Sequence, residues 1–211
     1  MIDYRPARLN MVERQIARRG VSDLAVLEAM SEVPREEFVP ENLRDYAYED
    51  TALPIDEYQT ISQPYIVALM ASAGELSPGQ KILEIGTGSG YAAAVMARIV
   101  SRVVTIERLA SLADQARMRL ARLGYGNVEV VTGDGVAGYE AEAPFDAVLS
   151  AAGSRRIPPA WKSQLAIGGR LVMPLGPLGD QILVKVTRLK DDDYVEKALA
   201  AVRFVPLIGG G

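Results

Sequence analysis

Lys81-Ile82-Leu83-Glu84-Ile85-Gly86-Thr87-Gly88-Ser89-Gly90-Tyr91 reads as a buried strand, a glycine-rich turn and the start of a helix. The helix is expected to run from Tyr91 through Ala92-Ala93-Ala94 to Val100. Gly86, Gly88 and Gly90 carry no Cβ, so a ligand can come close to the backbone of the turn. The helix that opens directly after it points free N–H groups and a partial positive charge at the same place. Such turns hold more than one kind of ligand, and the flanking sequence has to say which.

Downstream of the turn, strands and helices alternate. Arg102-Val103-Val104-Thr105-Ile106 is the next strand and ends at Glu107. Leu109, Leu112, Ala113, Ala116, Leu120 and Leu123 mark one face of a helix that stops at Gly124. Asn127 to Val131 and Phe145 to Ser150 are two more strands. Pro158 to Leu165 is expected to be helical, and Gly168-Gly169 to precede a strand at Arg170 to Pro174. Gln181 to Thr187 and Leu199 to Val205 read as an antiparallel pair around Lys190-Asp191-Asp192-Asp193. Strands separated by helices of this length imply right-handed crossovers and a doubly wound, mostly parallel α/β sheet. The ligand then lies beyond the carboxyl ends of the strands, where the glycine turn is.

Upstream, the chain reads as helical to about residue 50. Asn10 to Arg19 ends at Gly20, and Ser22 or Asp23 can cap a helix from Leu24 to Met30. Pro34 and Pro40 break the run. The cluster Arg14, Arg18 and Arg19 reads as a solvated helix face. A loop over 51–64 leads into a helix from Tyr65 to about Ala73, with Ser62 as its N-cap or Pro64 as its first residue. The expected organisation is one domain, 1–211: an N-terminal helical region with a loop (1–64) and an α/β core (65–211).

Composition narrows the chemistry. The 211 residues are 49% hydrophobic and 24% charged, enough for an ordinary globular core. The net charge of −4 is no footprint for nucleic acid or an anionic membrane. There are no cysteines and no histidines, which excludes thiol nucleophiles, Ser-His catalysis and His-ligated metal. No metal site is expected. The opening Met1-Ile2-Asp3-Tyr4-Arg5-Pro6 is polar and reads as no signal peptide, and no apolar run approaches the ~20 residues of a membrane span. A cytoplasmic location is expected.

Two cofactors suit the glycine turn, a dinucleotide and S-adenosylmethionine. The dinucleotide pattern G-x-G-x-x-G/A would put its third small residue at Tyr91. The pattern present is E-x-G-x-G-x-G, and the acid before the turn is an awkward neighbour for a pyrophosphate. Such an acid suits a ligand carrying a sulfonium and an ammonium group. Glu107, at the tip of the next strand, can accept both hydroxyl hydrogens of a ribose, which either cofactor has. Asp134-Gly135, after the third strand, can meet the adenine amino group. Blander readings exist for each: Glu84 can brace the turn, Asp134 can make an Asx-turn, and Glu107 can be a solvated acid at a helix start.

These segments together resemble the protein-L-isoaspartate O-methyltransferase family along essentially the whole chain. The resemblance is carried by Met11 to Ile16, Val33-Pro34-Arg35-Glu36-Glu37-Phe38-Val39-Pro40, Gln59-Thr60-Ile61-Ser62-Gln63-Pro64-Tyr65, Leu83 to Tyr91, Gly133-Asp134-Gly135, Ala143-Pro144-Phe145-Asp146 and Val202-Arg203-Phe204-Val205-Pro206-Leu207. It implies a Rossmann-like fold and methyl transfer from S-adenosylmethionine to the α-carboxylate of L-isoaspartyl residues in damaged proteins. The ester then closes to a succinimide. It implies that Ser62 is the active-site residue. The cofactor is then held by Gln59, Thr60, Ile61, Glu84, Gly86, Thr87, Gly88, Ser89, Gly90, Tyr91, Glu107, Asp134 and Gly135. Isoaspartyl-containing proteins and peptides are the implied partners, and a monomer is expected.

The chemistry agrees with a chain that lacks histidine. A carboxylate with a pKa near ~4 is already ionised at neutral pH and needs no general base. The protein has to place the reacting atoms in line, about 3–3.5 Å apart. Ser62 can hydrogen-bond a carboxylate oxygen and aim it without becoming a covalent nucleophile; a plain N-cap is the bland alternative.

The chain departs from the family pattern in three places. Tyr58 stands where a glycine is usual, and Ser150-Ala151-Ala152-Gly153-Ser154-Arg155-Arg156 brings two arginines after the fourth strand. They can contact substrate carboxylates or simply be solvated. The tail at Gly209-Gly210-Gly211 is short, so contacts made by longer C-termini are expected to be missing. Two alternatives stay open: a methyltransferase of this fold acting on another carboxylate or a dedicated peptide, and a catalytically silent relative. A nicotinamide-dependent oxidoreductase is disfavoured by Tyr91 and by the lack of a Tyr-x-x-x-Lys pair.

Overall fold

In the computed structural model, which describes residues 2–209, a seven-stranded sheet runs in the order β5-β4-β3-β6-β7-β8-β9. Its strands are β3 (Lys81–Ile85), β4 (Arg102–Glu107), β5 (Val128–Thr132), β6 (Phe145–Ser150), β7 (Leu165–Leu175), β8 (Gln181–Lys190) and β9 (Asp193–Val202). β3 to β7 are parallel, whereas β8 runs against both β7 and β9. After β5 the chain crosses back to the other side of β3. The strand order therefore reverses between β3 and β6, and the glycine turn leaves the sheet there.

Alternate residues of the strands feed two cores. Ile82, Val103, Ala147, Val172 and Leu183 pack on one face with the helices α2 (Leu24–Glu32), α3 (Pro64–Ala73), α4 (Tyr91–Ala97) and α5 (Ala110–Arg122). Leu83, Val104, Val148, Leu171 and Val184 pack on the other against Trp161 of the short α6 (Pro159–Ser163). Burial on both faces explains why these strands read as continuous apolar runs. α1 (Arg5–Met11) joins the first core through Met11 and passes into a π-helical turn, Val12–Ile16, and a tight turn, Ala17–Arg19. Gly20 closes it at φ +95°. Asp23 caps α2 by accepting from the amides of Ala25 (3.0 Å) and Val26 (3.3 Å).

Several boundaries differ from those expected. The first helix begins at Arg5 rather than Asn10, and α4 ends at Ala97 rather than Val100. Pro64 is the first residue of α3, and Gln63, not Ser62, occupies the N-cap position without a side-chain bond. Leu165 starts β7 instead of ending a helix, and Gly168-Gly169 lies within that strand. The register shifts opposite Phe145 and Ala147. There a Cβ on Gly169 would sit 2.8 Å from the carbonyl of Ala166, so glycines that look like a turn serve a bulge. β9 starts at Asp193, six residues earlier than Leu199, and ends at Val202. It is an edge strand whose exposed Glu196 and Lys197 hide the apolar alternation.

A small hairpin, β1 (Leu53–Pro54) with β2 (Thr60–Ile61), stands outside the main sheet. Its tip carries Glu57 and Tyr58, both at φ +56°. Met1, Gly210 and Gly211 lie outside the described residues, and with them most of the short tail. Among the described residues no helix is long and apolar enough to cross a membrane.

Candidate active site

A cleft of about 980 Å³ opens where β3 and β6 end. Gly86, Gly88, Ile85, Ile106, Glu107 and Gly135 line it from the sheet side. Gln59, Thr60, Ser62 and Ile66 contribute from the hairpin and the start of α3. The remaining wall includes Ala151 and Ala152 after β6, Leu178 to Gln181, and the segment from Ala201 to Ile208.

The turn is held from two directions. Gly86 (φ +93°) and Gly88 (φ +53°) adopt the left-handed backbone that glycine tolerates best. The amide of Gly88 donates to Oε2 of Glu107 at 2.9 Å, and the amide of Leu109 donates to Oε1 of the same carboxylate at 3.1 Å. Glu107 is nearly buried yet reaches the cleft wall. A carboxylate has about four acceptor sites. Two are taken by backbone, and each oxygen keeps one lone pair for a ligand hydroxyl.

Glu84 braces the turn from beneath. Parallel register sets it beside Thr105, whose hydroxyl bonds to Glu84 Oε2 at 2.5 Å. The hydroxyls of Thr105 and Thr87 are 2.6 Å apart. Burial pushes the Glu84 carboxyl up to about 8, with the neighbouring charge of Glu107 adding to the rise and the Thr105 bond opposing it. Glu84 does not line the cleft. Its hydrogen bonds toward the turn run through Thr105 and Thr87.

Other expected cofactor residues separate in the same way. Gln59, Thr60, Gly86, Gly88, Glu107 and Gly135 line the cleft. Ile61, Thr87, Ser89, Gly90 and Tyr91 are buried and shape it from behind. The ring of Tyr91 is 1% exposed and packs edge-on against Phe38 at 5.6 Å. It anchors α4 to the N-terminal region and does not line the cleft. Burial raises its phenol to about 12. Asp134 caps the following turn by accepting from the amide of Val136 at 2.9 Å. Its carboxylate also lies against Gly209, where a Cβ would approach Oδ1 to 2.1 Å. Gly135 has no room for a side chain, since a Cβ would meet Ile85 at 2.6 Å. Its carbonyl accepts from the buried Trp161 Nε1 at 2.8 Å.

Ser62 is half-buried on the cleft wall, and its carbonyl accepts from Arg35 Nη2 at 2.9 Å. Arg155 and Arg156 are exposed and do not line the cleft, and Tyr58 projects fully into solvent. Of the N-terminal arginine cluster, Arg18 pairs with Glu13 and Arg19 with Asp50.

The wall from Ala201 to Ile208 was the part least apparent as a site. Gln181, almost fully buried, accepts from the amide of Phe204 at 2.7 Å. Gly153 exchanges two backbone bonds with this segment, to Val205 (2.8 Å) and from Leu207 (2.7 Å). These bonds peel the chain off β9 and lay it along the cleft. The signal for it lay in Arg203-Phe204-Val205-Pro206-Leu207, one of the segments that carried the family resemblance.

A parallel sheet with one reversed strand, a glycine turn at its switch point and an acid at the next strand tip define a Rossmann-like methyltransferase. The sequence profile of the protein-L-isoaspartate(D-aspartate) O-methyltransferase family matches residues 7–211. The chain is 57% identical over 203 residues to protein-L-isoaspartate O-methyltransferase 1 of Rhodopseudomonas palustris (strain HaA2), covering 96% of this chain and 83% of that one. It is 55% identical over 200 residues to protein-L-isoaspartate O-methyltransferase 1 of Geotalea uraniireducens (strain Rf4), covering 94% and 91%. A solved protein-L-isoaspartate O-methyltransferase superposes with a TM-score of 0.84 at 33% identity, over 98% of this chain and 66% of that longer one. A beta-aspartate methyltransferase of Plasmodium falciparum, solved in complex with S-adenosyl-L-homocysteine, gives 0.82 at 26% identity, over 95% and 98%. This chain belongs to the protein-L-isoaspartate(D-aspartate) O-methyltransferase family.

The burial of Glu84 has a consequence for stability. Its carboxyl binds a proton more tightly folded, at about 8, than unfolded, at 4.5. That contribution is complete below the unfolded value and is lost as pH rises through the folded one. Urea midpoints are expected to decline from about pH 5 to about pH 8.5, and to decline less in Glu84→Gln. An equal decline in both proteins contradicts the buried, protonated state.

Proposed function

We propose that this chain transfers a methyl group from S-adenosylmethionine to the α-carboxylate of L-isoaspartyl residues in damaged proteins and peptides, initiating their repair through a succinimide. The observation that carries the reading is that Ser62 and the floor formed by Gly86, Gly88 and Glu107 line one cleft. The residues present fit the cofactor. Glu107 has one free acceptor site on each oxygen for the ribose hydroxyls, and the glycine turn leaves its backbone open to close approach. A volume of about 980 Å³ is ample for a nucleoside with an amino-acid arm and a peptide side chain beside it.

When bound, the cofactor supplies a methyl group already activated on a sulfonium. The chain's own task is placement. Ser62 offers a hydroxyl to one carboxylate oxygen and aims the other along the line of transfer. A neutral hydroxyl orients the acceptor without holding it as tightly as a cation would. No general base is needed, in keeping with a sequence that has no histidine. Gln59, Thr60 and the segment from Arg203 to Ile208 line the same cleft as Ser62.

A cytoplasmic location, a monomeric state and the division into an N-terminal region (1–64) and a core (65–211) belong to the same proposal and rest on the sequence reading.

Transfer of a labelled methyl group to an isoaspartyl peptide, run beside the same peptide with ordinary aspartate, tests the reading. Labelling of the first alone is expected; equal labelling of both, or none of either, overturns it. Ser62→Ala is expected to lower kcat roughly tenfold to a hundredfold, with the affinity for S-adenosylhomocysteine retained. Full turnover in that variant removes Ser62 from the mechanism.

A further inference from the structure

Arg35 has no exposed surface. Its Nε donates to the carbonyl of Ala47 at 2.7 Å and its Nη2 to the carbonyl of Ser62 at 2.9 Å. Its guanidinium carbon lies 4.7 Å from the centre of the Tyr91 ring, and Nη1 meets no protein acceptor. Burial lowers its pKa from the usual arginine value, with Tyr91 opposing the shift. Two carbonyls and an aromatic face are poor compensation for removing a charge from water. For stability alone, an apolar residue of similar volume often serves as well or better.

An apolar residue cannot bridge these groups. Ser62 lies on the cleft wall, and Tyr91 is the first residue of α4, directly after the glycine turn. The same short turn, Arg35–Phe38, also sets Phe38 edge-on against Tyr91. One element therefore grips both the loop that brings the hydroxyl and the helix that carries the cofactor turn. Arg35 itself does not line the cleft.

We propose that Arg35 is a positioning residue for methyl transfer: its guanidinium ties the backbone of Ser62 to the ring of Tyr91 and so holds the serine hydroxyl at a fixed reach from the glycine turn. This rests on the role given to Ser62 above. Arg35 bonds to the peptide carbonyl of Ser62, so substitution disturbs the placement of the hydroxyl and leaves its chemistry intact. Misplacement on the order of an ångström is enough to cost up to about a hundredfold in rate.

The test compares full-length Arg35→Met, Arg35→Gln and wild type. Arg35→Met fills the space and removes the donors, whereas Arg35→Gln restores a neutral donor. Arg35→Met is expected to keep its unfolding midpoint and its affinity for S-adenosylhomocysteine, while kcat falls roughly tenfold or more. Arg35→Gln is expected to recover part of that loss. Hydrogen exchange of the amides over 59–63 should quicken in Arg35→Met. Unchanged kcat, or a loss of cofactor affinity in step with kcat, overturns the proposal. If Arg35→Met does not fold, Arg35→Gln decides by the same split between kcat and cofactor affinity. Unchanged exchange over 59–63 overturns the tether whatever the turnover. Faster exchange, in a protein whose wild type leaves isoaspartyl peptide unlabelled, upholds the tether and overturns the reading of Ser62 instead.

Discussion

The bond from the Gly88 amide to the Glu107 carboxylate is the constraint on which the site depends. It joins the turn after β3 to the tip of β4 and fixes a left-handed glycine in place. The same carboxylate also receives the amide at the start of α5. One side chain thus sets the relative position of a strand tip, a turn and a helix start, and still faces the cleft. An acid that only bound ligand would be free to swing. This one is oriented in advance, which reduces the ordering that ligand binding must impose.

Two acids flank the turn, and environment gives them different work. Glu107 meets backbone amides and the cleft. Glu84, on the strand beneath, is enclosed, leans on Thr105 and is pushed toward its protonated form. Thr87 and Thr105 carry its influence to the turn as a short line of hydroxyls. Against this floor the N-terminal region brings the wall that carries Ser62. The hairpin β1–β2 and the start of α3 deliver Gln59, Thr60 and Ser62, and the turn at Arg35–Phe38 anchors them to α4. Floor and wall therefore share Tyr91 as a common footing.

The sheet was legible because its central strands are apolar runs between glycines, and the order of strands and helices permits few topologies. Glu107 was legible because an acid at the second strand tip has a fixed place in such folds. For Tyr91 the resemblance implied a part in holding the cofactor, and what its sequence position did not tell is that the first residue of α4 packs its ring into the core. For Glu84 both readings were open, because side-chain direction alternates along a strand and sequence spacing does not tell which face is sealed; the structure shows it bracing the turn. The wall from Ala201 to Ile208 was hidden because its position depends on Gln181 and Gly153, both remote in sequence. Arg35 stood only within a segment that carried the family resemblance, and its complete burial is what distinguishes it.

Calorimetric titration of S-adenosylhomocysteine into the wild type and Glu107→Gln tests the central claim most directly. The amide side chain replaces an acceptor oxygen with a donor where hydroxyl hydrogens are to be received. Loss of a hydrogen bond to a charged group is worth ~1.5–3 kcal/mol, so Kd is expected to rise about tenfold or more. An unchanged Kd in a folded Glu107→Gln protein would contradict the account, because the carboxylate that organises the turn would then have no part in holding the ligand.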